Sequence, residues 1–315
     1  MALSNFLQLT AIQFPMQRIQ TAAKQSFSLS RLAMGLWRLA DWGYSSKETL
    51  RLLEQLIEHG VTTIDLADIY GDYRCEQLVG EALRLKPALR GQMEIVSKCG
   101  IKLVGGGNDY ALNHYDTSAA HVIAAAESSL QKMGIESLDL LLIHRPDPLM
   151  DADELARGLD RLVADGKVRA VGVSNFLPHQ VALLQSRLSV PLVVNQIEVS
   201  LLNCEPMFDG QLDYCQRERV IPMAWSPFAG GRLFTGSSEA ELRVQGCLEE
   251  LSRELDMEPQ QIALAWLLKH PSGMVPVLGS GKISRLRSGI ETLEKEMPRE
   301  AWFRLLRAAR GRDVD

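Results

Sequence analysis

The amino-acid sequence predicts an α/β fold, a (β/α)8 TIM-type barrel preceded by an N-terminal β-hairpin. Three observations carry that expectation. Eight short β-branched or Leu-rich runs punctuate the chain, most of their ends lie roughly 25 to 45 residues apart, the size of a βα unit, and amphipathic stretches separate them. An open, doubly wound sheet shows the same alternation, so the barrel rests on the count of eight.

In order, residues 17–20 and 26–30 are expected to pair as a hairpin across the barrel floor. Residues 1–15 are expected to be a dispensable leader, because Met16 opens a complete single domain over 16–315. The runs are 32–35, 62–65, 94–98, 139–144, 168–174, 192–198, 221–226 and 275–279. Segments 47–59 and 117–133 space apolar residues three and four apart, as a one-faced helix does. Six runs turn polar at their last residue, at Asp65, Lys98, His144, Ser174, Glu198 and Ser226. In a parallel barrel all strand ends emerge on one face, so these groups should converge on a single mouth.

A chain of 315 residues with 46% hydrophobic and 23% charged residues can bury a full barrel core. Its net charge of −5, with no basic cluster, argues against a nucleic-acid partner. No stretch approaches the roughly 18 apolar residues of a membrane span, and no secretory signal opens the chain, which predicts a cytoplasmic protein without a membrane partner. Five cysteines, an odd number with no C-x-x-C pair, fit reduced thiols.

The run Thr63-Ile64-Asp65-Leu66-Ala67-Asp68-Ile69-Tyr70-Gly71 sets a carboxylate at a strand end and a phenol in the loop that follows. A phenol, with a pKa of about 10, holds a proton at neutral pH but donates it readily only where its anion is stabilised. Lys98 ends the third run, where desolvation demands an anion, and Asp65 is the natural partner. A lysine held there and aimed at Tyr70 should lower the phenol's pKa. His144, closing the fourth run, should donate to the same substrate oxygen from across the mouth. The four read as an oxyanion site with a proton source and no metal. A metal centre of Asp65, Asp68 and His144 is the competing reading; it lacks an H-x-H pair, and Lys98 would oppose a divalent cation.

These residues carry a family resemblance. The segments Asp65-Leu66-Ala67-Asp68-Ile69-Tyr70-Gly71, Ser97-Lys98-Cys99-Gly100, Leu141-Leu142-Ile143-His144-Arg145-Pro146-Asp147 and Gly172-Val173-Ser174-Asn175-Phe176, in this order, resemble those of bacterial aldo-keto reductases, and the similarity covers nearly the full length. The resemblance implies an NADPH-dependent oxidoreductase that reduces aldehydes or ketones to alcohols, with Tyr70 as general acid, Asp65 and Lys98 tuning it and His144 orienting the carbonyl. It further implies that Ser174, Asn175 and Gln196 hold the nicotinamide carboxamide and that Trp225 stacks on the ring. Ser226, Pro227, Phe228, Gly230, Gly231 and Arg232 would form the pyrophosphate loop. Gly279, Ser280, Lys282 and Arg285 resemble the segment around the 2′-phosphate, which favours NADPH over NADH. Gly279 stands where many members have lysine, with Lys282 displaced along the loop, and Gly289 stands where the family has an adenine-side Asn.

For substrate, Trp37 is the expected contact, and the long loops 104–113 and 228–242 read either as pocket walls or as surface insertions. Arg145, directly after His144, reads either as a partner for an acidic substrate or as an ion pair with Asp147, and the pair with Asp147 is the favoured expectation. The alternative function is a cofactor-binding regulatory subunit of a channel or complex, which would keep the same site; the sequence shows no distinct partner-binding segment, which favours the enzyme.

Overall fold

A strand buried on both faces reads as a near-continuous apolar run, which a parallel sheet covered by helices requires. Leu138–Ile143 is such a strand, with all six residues buried. Its single charged member, Asp139, is held by Arg90 at 2.7 Å and Arg169 at 2.9 Å and accepts the Ile95 N–H at 2.9 Å, so the buried carboxylate is fully paired. The computed structural model describes residues 18–20 and 27–315. In it the other barrel strands are Ala33–Gly35, Thr63–Asp65, Glu94–Cys99, Val168–Ser174, Leu192–Glu198, Ile221–Trp225 and Val275–Leu278. Each pairs parallel with its predecessor, and Val277 opposite Ala33 closes the eighth strand onto the first. The eight predicted runs are these strands, and closure excludes the open sheet.

Local signals explain the helices that cover the barrel. Ser46–Glu58 begins at a capping box, with Ser45 and Glu48 each accepting from the other's backbone N–H, and buries Leu52, Leu53 and Leu56. Ala119–Met133 is capped by Ser118 and ends at Gly134, whose φ of 66° suits a residue without a Cβ. Inside the barrel, Gly172 permits a close approach. A Cβ there would lie 2.6 Å from the Val194 carbonyl oxygen and 2.7 Å from Leu142 Cδ2.

The hairpin pairs Arg18–Gln20 with Ser28–Ser30 antiparallel. Arg18 reaches Glu94 at 2.6 Å and Thr62 Oγ1 at 3.2 Å, at the beginnings of two barrel strands, while Ile19 and Leu29 pack with the interior residues Ala33, Val96 and Leu140. It therefore closes the floor and leaves the opposite rim, where the strands end, open. Gln17, Ser26 and the proposed leader 1–15 lie outside the described residues.

Candidate active site

Asp65 ends the second barrel strand, Lys98 lies near the end of the third, and His144 follows the fourth, so chain geometry alone brings them to one rim. Tyr70 arrives differently. It sits where the chain makes a tight turn through Gly71, Asp72 and Tyr73, all with left-handed φ of 56° to 64°. A Cβ on Gly71 would fall 2.6 Å from both Ala40 Cβ and Cys75 Sγ, so position 71 tolerates only glycine.

Lys98 is fully buried. Its ammonium donates to Asp65 Oδ1 at 2.8 Å, Asp65 Oδ2 at 2.9 Å, the Leu66 carbonyl at 2.7 Å and Tyr70 Oη at 3.0 Å. Because the phenol oxygen accepts from Lys98, its own proton is free to point into the cavity. Burial opposes the ammonium, but the Asp65 carboxylate and the Tyr70 phenol outweigh it and raise the Lys98 pKa, so the group stays charged. For Tyr70, burial pushes the phenol upward and Lys98 pulls it back without overcoming that push. The expected acidification is therefore not met, because desolvation exceeds the pull of the ammonium. Burial, followed by the charges of Lys98 and Arg145, holds the His144 imidazole well below its ordinary range, so it is neutral. Its ring meets Tyr70 edge-on, with centroids 5.8 Å apart.

Asp68 lies behind this group, its N–H donating to the Lys98 carbonyl and its buried Oδ1 without a hydrogen-bond partner among the described residues. Burial, reinforced by the Glu76 charge, pushes its carboxyl up to about 8. The unfolded carboxyl ionises near its ordinary 3.8 while the folded one does not, so Asp68 weakens the fold progressively as pH rises between those values and no further above them. Asp68→Asn removes this linkage. The melting temperature of the variant should gain on that of the wild type between about pH 5 and pH 8 in a calorimetric series, and a gap that shrinks over this interval would refute the assignment. Among the described residues no group of three or more His, Cys, Asp or Glu side chains is placed to hold a metal ion.

The remaining strand ends form a polar chain. Ser174 Oγ donates to the Gln196 carbonyl at 2.8 Å, Asn175 Nδ2 donates to Ser174 Oγ at 2.8 Å, and Trp225 Nε1 donates to Asn175 Oδ1 at 2.9 Å. Gln196 Nε2 donates to Asp65 Oδ1 at 2.7 Å, which joins this chain to the tetrad. Asn175 and Ser226 hold left-handed backbone, φ 60° and 49°, at the points where the chain leaves the fifth and seventh strands.

A cavity of about 740 Å³ opens over these groups. Of the sequence-predicted residues, Asp65, Tyr70, His144, Ser174, Asn175, Gln196, Trp225, Ser226, Pro227, Phe228, Gly230, Gly231, Gly279, Ser280, Arg285 and Trp37 line it. Lys98 stands behind the wall and touches it through Tyr70. Four expectations fall elsewhere. Arg232 is not in the lining; it opens the short helix Arg232–Thr235 and pairs with Glu241 at 3.3 Å. Lys282 is exposed and precedes the helix Ile283–Glu291. Glu198, two residues beyond Gln196 and so on the same face of its strand, is not in the lining. Loop 104–113 is also outside it, tied back by the Leu103 N–H on Tyr73 Oη at 2.9 Å and the Val104 N–H on Asn113 Oδ1 at 2.7 Å.

Arg145 does not pair with Asp147, which instead accepts from Thr117 Oγ1 at 3.0 Å and the Leu149 N–H at 2.8 Å. Its guanidinium lines the cavity with Cζ 5.6 Å from the Trp225 ring. Phe234 and Thr235 are in the wall, as the pocket-wall reading of loop 228–242 expected, whereas Arg38 and Gln260 in the wall were missed by the sequence reading. Arg38 stacks on Trp37, 4.7 Å from the ring centroid, and its buried Nε has no acceptor. Its position directly after Trp37 was the available signal; Gln260, on a helix remote in sequence, had none.

The model of the Aldo/keto reductase family matches residues 31–309. The uncharacterized oxidoreductase YcsN of Bacillus subtilis (strain 168) is 46% identical, over 95% of this chain and 100% of its own length. A 6-dehydroglucose reductase of Agrobacterium fabrum (strain C58) is 45% identical, over 95% of this chain and 100% of its own. Among solved structures, the thermostable aldo-keto reductase Tm1743 in complex with the inhibitor epalrestat superposes with a TM-score of 0.79 at 26% identity, over 93% of this chain and 100% of that one.

Proposed function

This chain belongs to the aldo/keto reductase family, and from that premise we propose that it is an NADPH-dependent reductase of aldehydes or ketones in which Tyr70 protonates the carbonyl oxygen. One observation carries the reading: a cavity-facing phenol whose oxygen accepts a 3.0 Å hydrogen bond from a buried ammonium. That arrangement keeps the phenolic proton available and stabilises the phenolate left after transfer.

The residues fit the dinucleotide. In two residues that line the cavity, a buried polar atom, His144 Nδ1 and Arg38 Nε, has no hydrogen-bond partner among the described residues, and a Cβ on Gly230 or Gly231 would meet nothing within 4 Å, which leaves space for a pyrophosphate. Asn175, Gln196, Trp225, Ser280 and Arg285 line the cavity, which supports a reading in which Asn175 and Gln196 would hold the carboxamide, Trp225 would stack on the ring, and Ser280 and Arg285 would hold the 2′-phosphate. When bound, NADPH supplies the hydride that reaches the carbonyl carbon. In the same step Tyr70 releases its proton to the carbonyl oxygen, while neutral His144 donates a hydrogen bond that orients that oxygen. Lys98 holds the resulting phenolate until solvent restores its proton, and Asp65, itself braced by Gln196, keeps Lys98 charged and in place. A reaction drawing on NADPH belongs in the reducing cytoplasm, a reading supported by five cysteines that are all free.

Consumption of NADPH over a panel of aldehydes, ketones and dicarbonyls tests the activity. Cofactor choice is tested at Arg285: Arg285→Ala should raise the KM for NADPH about tenfold or more, the worth of a charge-assisted hydrogen bond, and move the KM for NADH far less. Equal effects on the two cofactors would place Arg285 off the phosphate.

A further inference from the structure

Arg145 is a cation lining the cavity whose guanidinium, among the described residues, has no ion pair and no hydrogen bond. It follows His144 directly, and its Cζ lies 5.6 Å from the Trp225 ring. Its charge acts on both Tyr70 and His144. These neighbours place it at the reacting end of the cavity, on a different loop from Ser280 and Arg285 after the last strand. The acidic residue nearest in sequence, Asp147, is engaged by Thr117 and the Leu149 N–H. Among the described residues Arg145 makes no ion pair and donates no hydrogen bond, and its only ring contact is with Trp225. Much of the surrounding wall is aromatic, from Trp37, Trp225, Phe228 and Phe234. A planar fork of five N–H donors in such surroundings is matched by acceptor oxygens supplied from outside the protein.

We propose that Arg145 is the specificity-determining residue of the reaction, donating to acceptor oxygens on the carbon chain of a short carbonyl substrate. The inference rests on the reductase reading above and narrows its substrate class to oxygen-bearing aldehydes and ketones. Either a carboxylate or a pair of neighbouring hydroxyls supplies such acceptors, and matched probes tell them apart: 4-oxobutanoate against butanal for the carboxylate, glyceraldehyde against propanal for the diol.

The experiment measures kcat and KM for these four aldehydes with saturating NADPH, in the wild type and in Arg145→Met, with NADPH affinity read separately by fluorescence titration. The wild type should favour at least one oxygen-bearing partner over its plain counterpart. Arg145→Met should cut that preference about ten- to hundredfold, chiefly through KM, while NADPH still binds with wild-type affinity. The pair that loses its preference identifies the acceptor. Loss of kcat by the same factor for all four aldehydes would make Arg145 an electrostatic support for Tyr70 and overturn the proposal, as would a weakened NADPH Kd. Should the variant fold poorly, the wild-type ratios decide alone: no preference in either pair overturns it. Turnover of all four without discrimination defeats the Arg145 assignment and leaves the reductase standing, whereas no NADPH consumption with any aldehyde or ketone strikes down both.

Discussion

Tyr70→Phe is expected to lower kcat by about two to four orders of magnitude, the usual worth of a positioned general acid, while leaving the affinity for NADPH intact. The substitution removes one oxygen. That oxygen is the only part of Tyr70 that Lys98 hydrogen-bonds, at 3.0 Å, and the ring's edge-on contact with His144 survives its loss. The cavity-lining side chains Asn175, Gln196 and Trp225 are held through Ser174, one another and Asp65, not through the phenol. Steady-state kinetics and a cofactor titration on the same preparation check this. A variant that retains wild-type kcat would mean that another group protonates the substrate.

Lys98→Met is expected to damage both turnover and folding. The ammonium is fully buried and answers a carboxylate that is itself 2% exposed. Removing it leaves Asp65 with a single side-chain donor, Gln196 Nε2. Leaving one partner of a buried pair uncompensated destabilises by about 3–5 kcal/mol, a large share of a typical domain's stability, which denaturant unfolding would register directly. The companion change distinguishes charge from packing. In the double variant Lys98→Met/Asp65→Asn the stranded charge is gone, so stability should recover substantially while kcat stays low, because nothing then stabilises the phenolate. Recovery of turnover along with stability would show that Lys98 serves the fold alone.

The barrel was legible because its strands are buried on both faces and must be apolar runs, and because Asp65, Lys98 and His144 break those runs at the ends where chemistry needs them. What pattern could not convey was set by three-dimensional competition for partners. Arg145 and Asp147 are two residues apart and oppositely charged, yet Thr117 and the Leu149 backbone claim the carboxylate, a consequence of how that loop folds back on the helix Ala119–Met133. Arg232 was drawn away from the cavity by Glu241 in the same manner. The Tyr70 pKa went the other way from expectation because its direction depends on desolvation, and burial depth is not written in residue spacing. The wall residue Gln260 comes from the helix Pro259–Leu268, far along the chain from the tetrad, where no local signal marks it as facing the site.

In the proposed reduction, hydride and phenolic proton reach the carbonyl together. Single-turnover oxidation of enzyme-bound NADPH by excess carbonyl, run in light and heavy water and with protiated and deuterated hydride, measures both transfers at once. Concerted transfer gives a normal isotope effect from each, and the solvent effect disappears in Tyr70→Phe. A full hydride effect with no solvent effect in the wild type would contradict it, since the oxygen would then be protonated in another step.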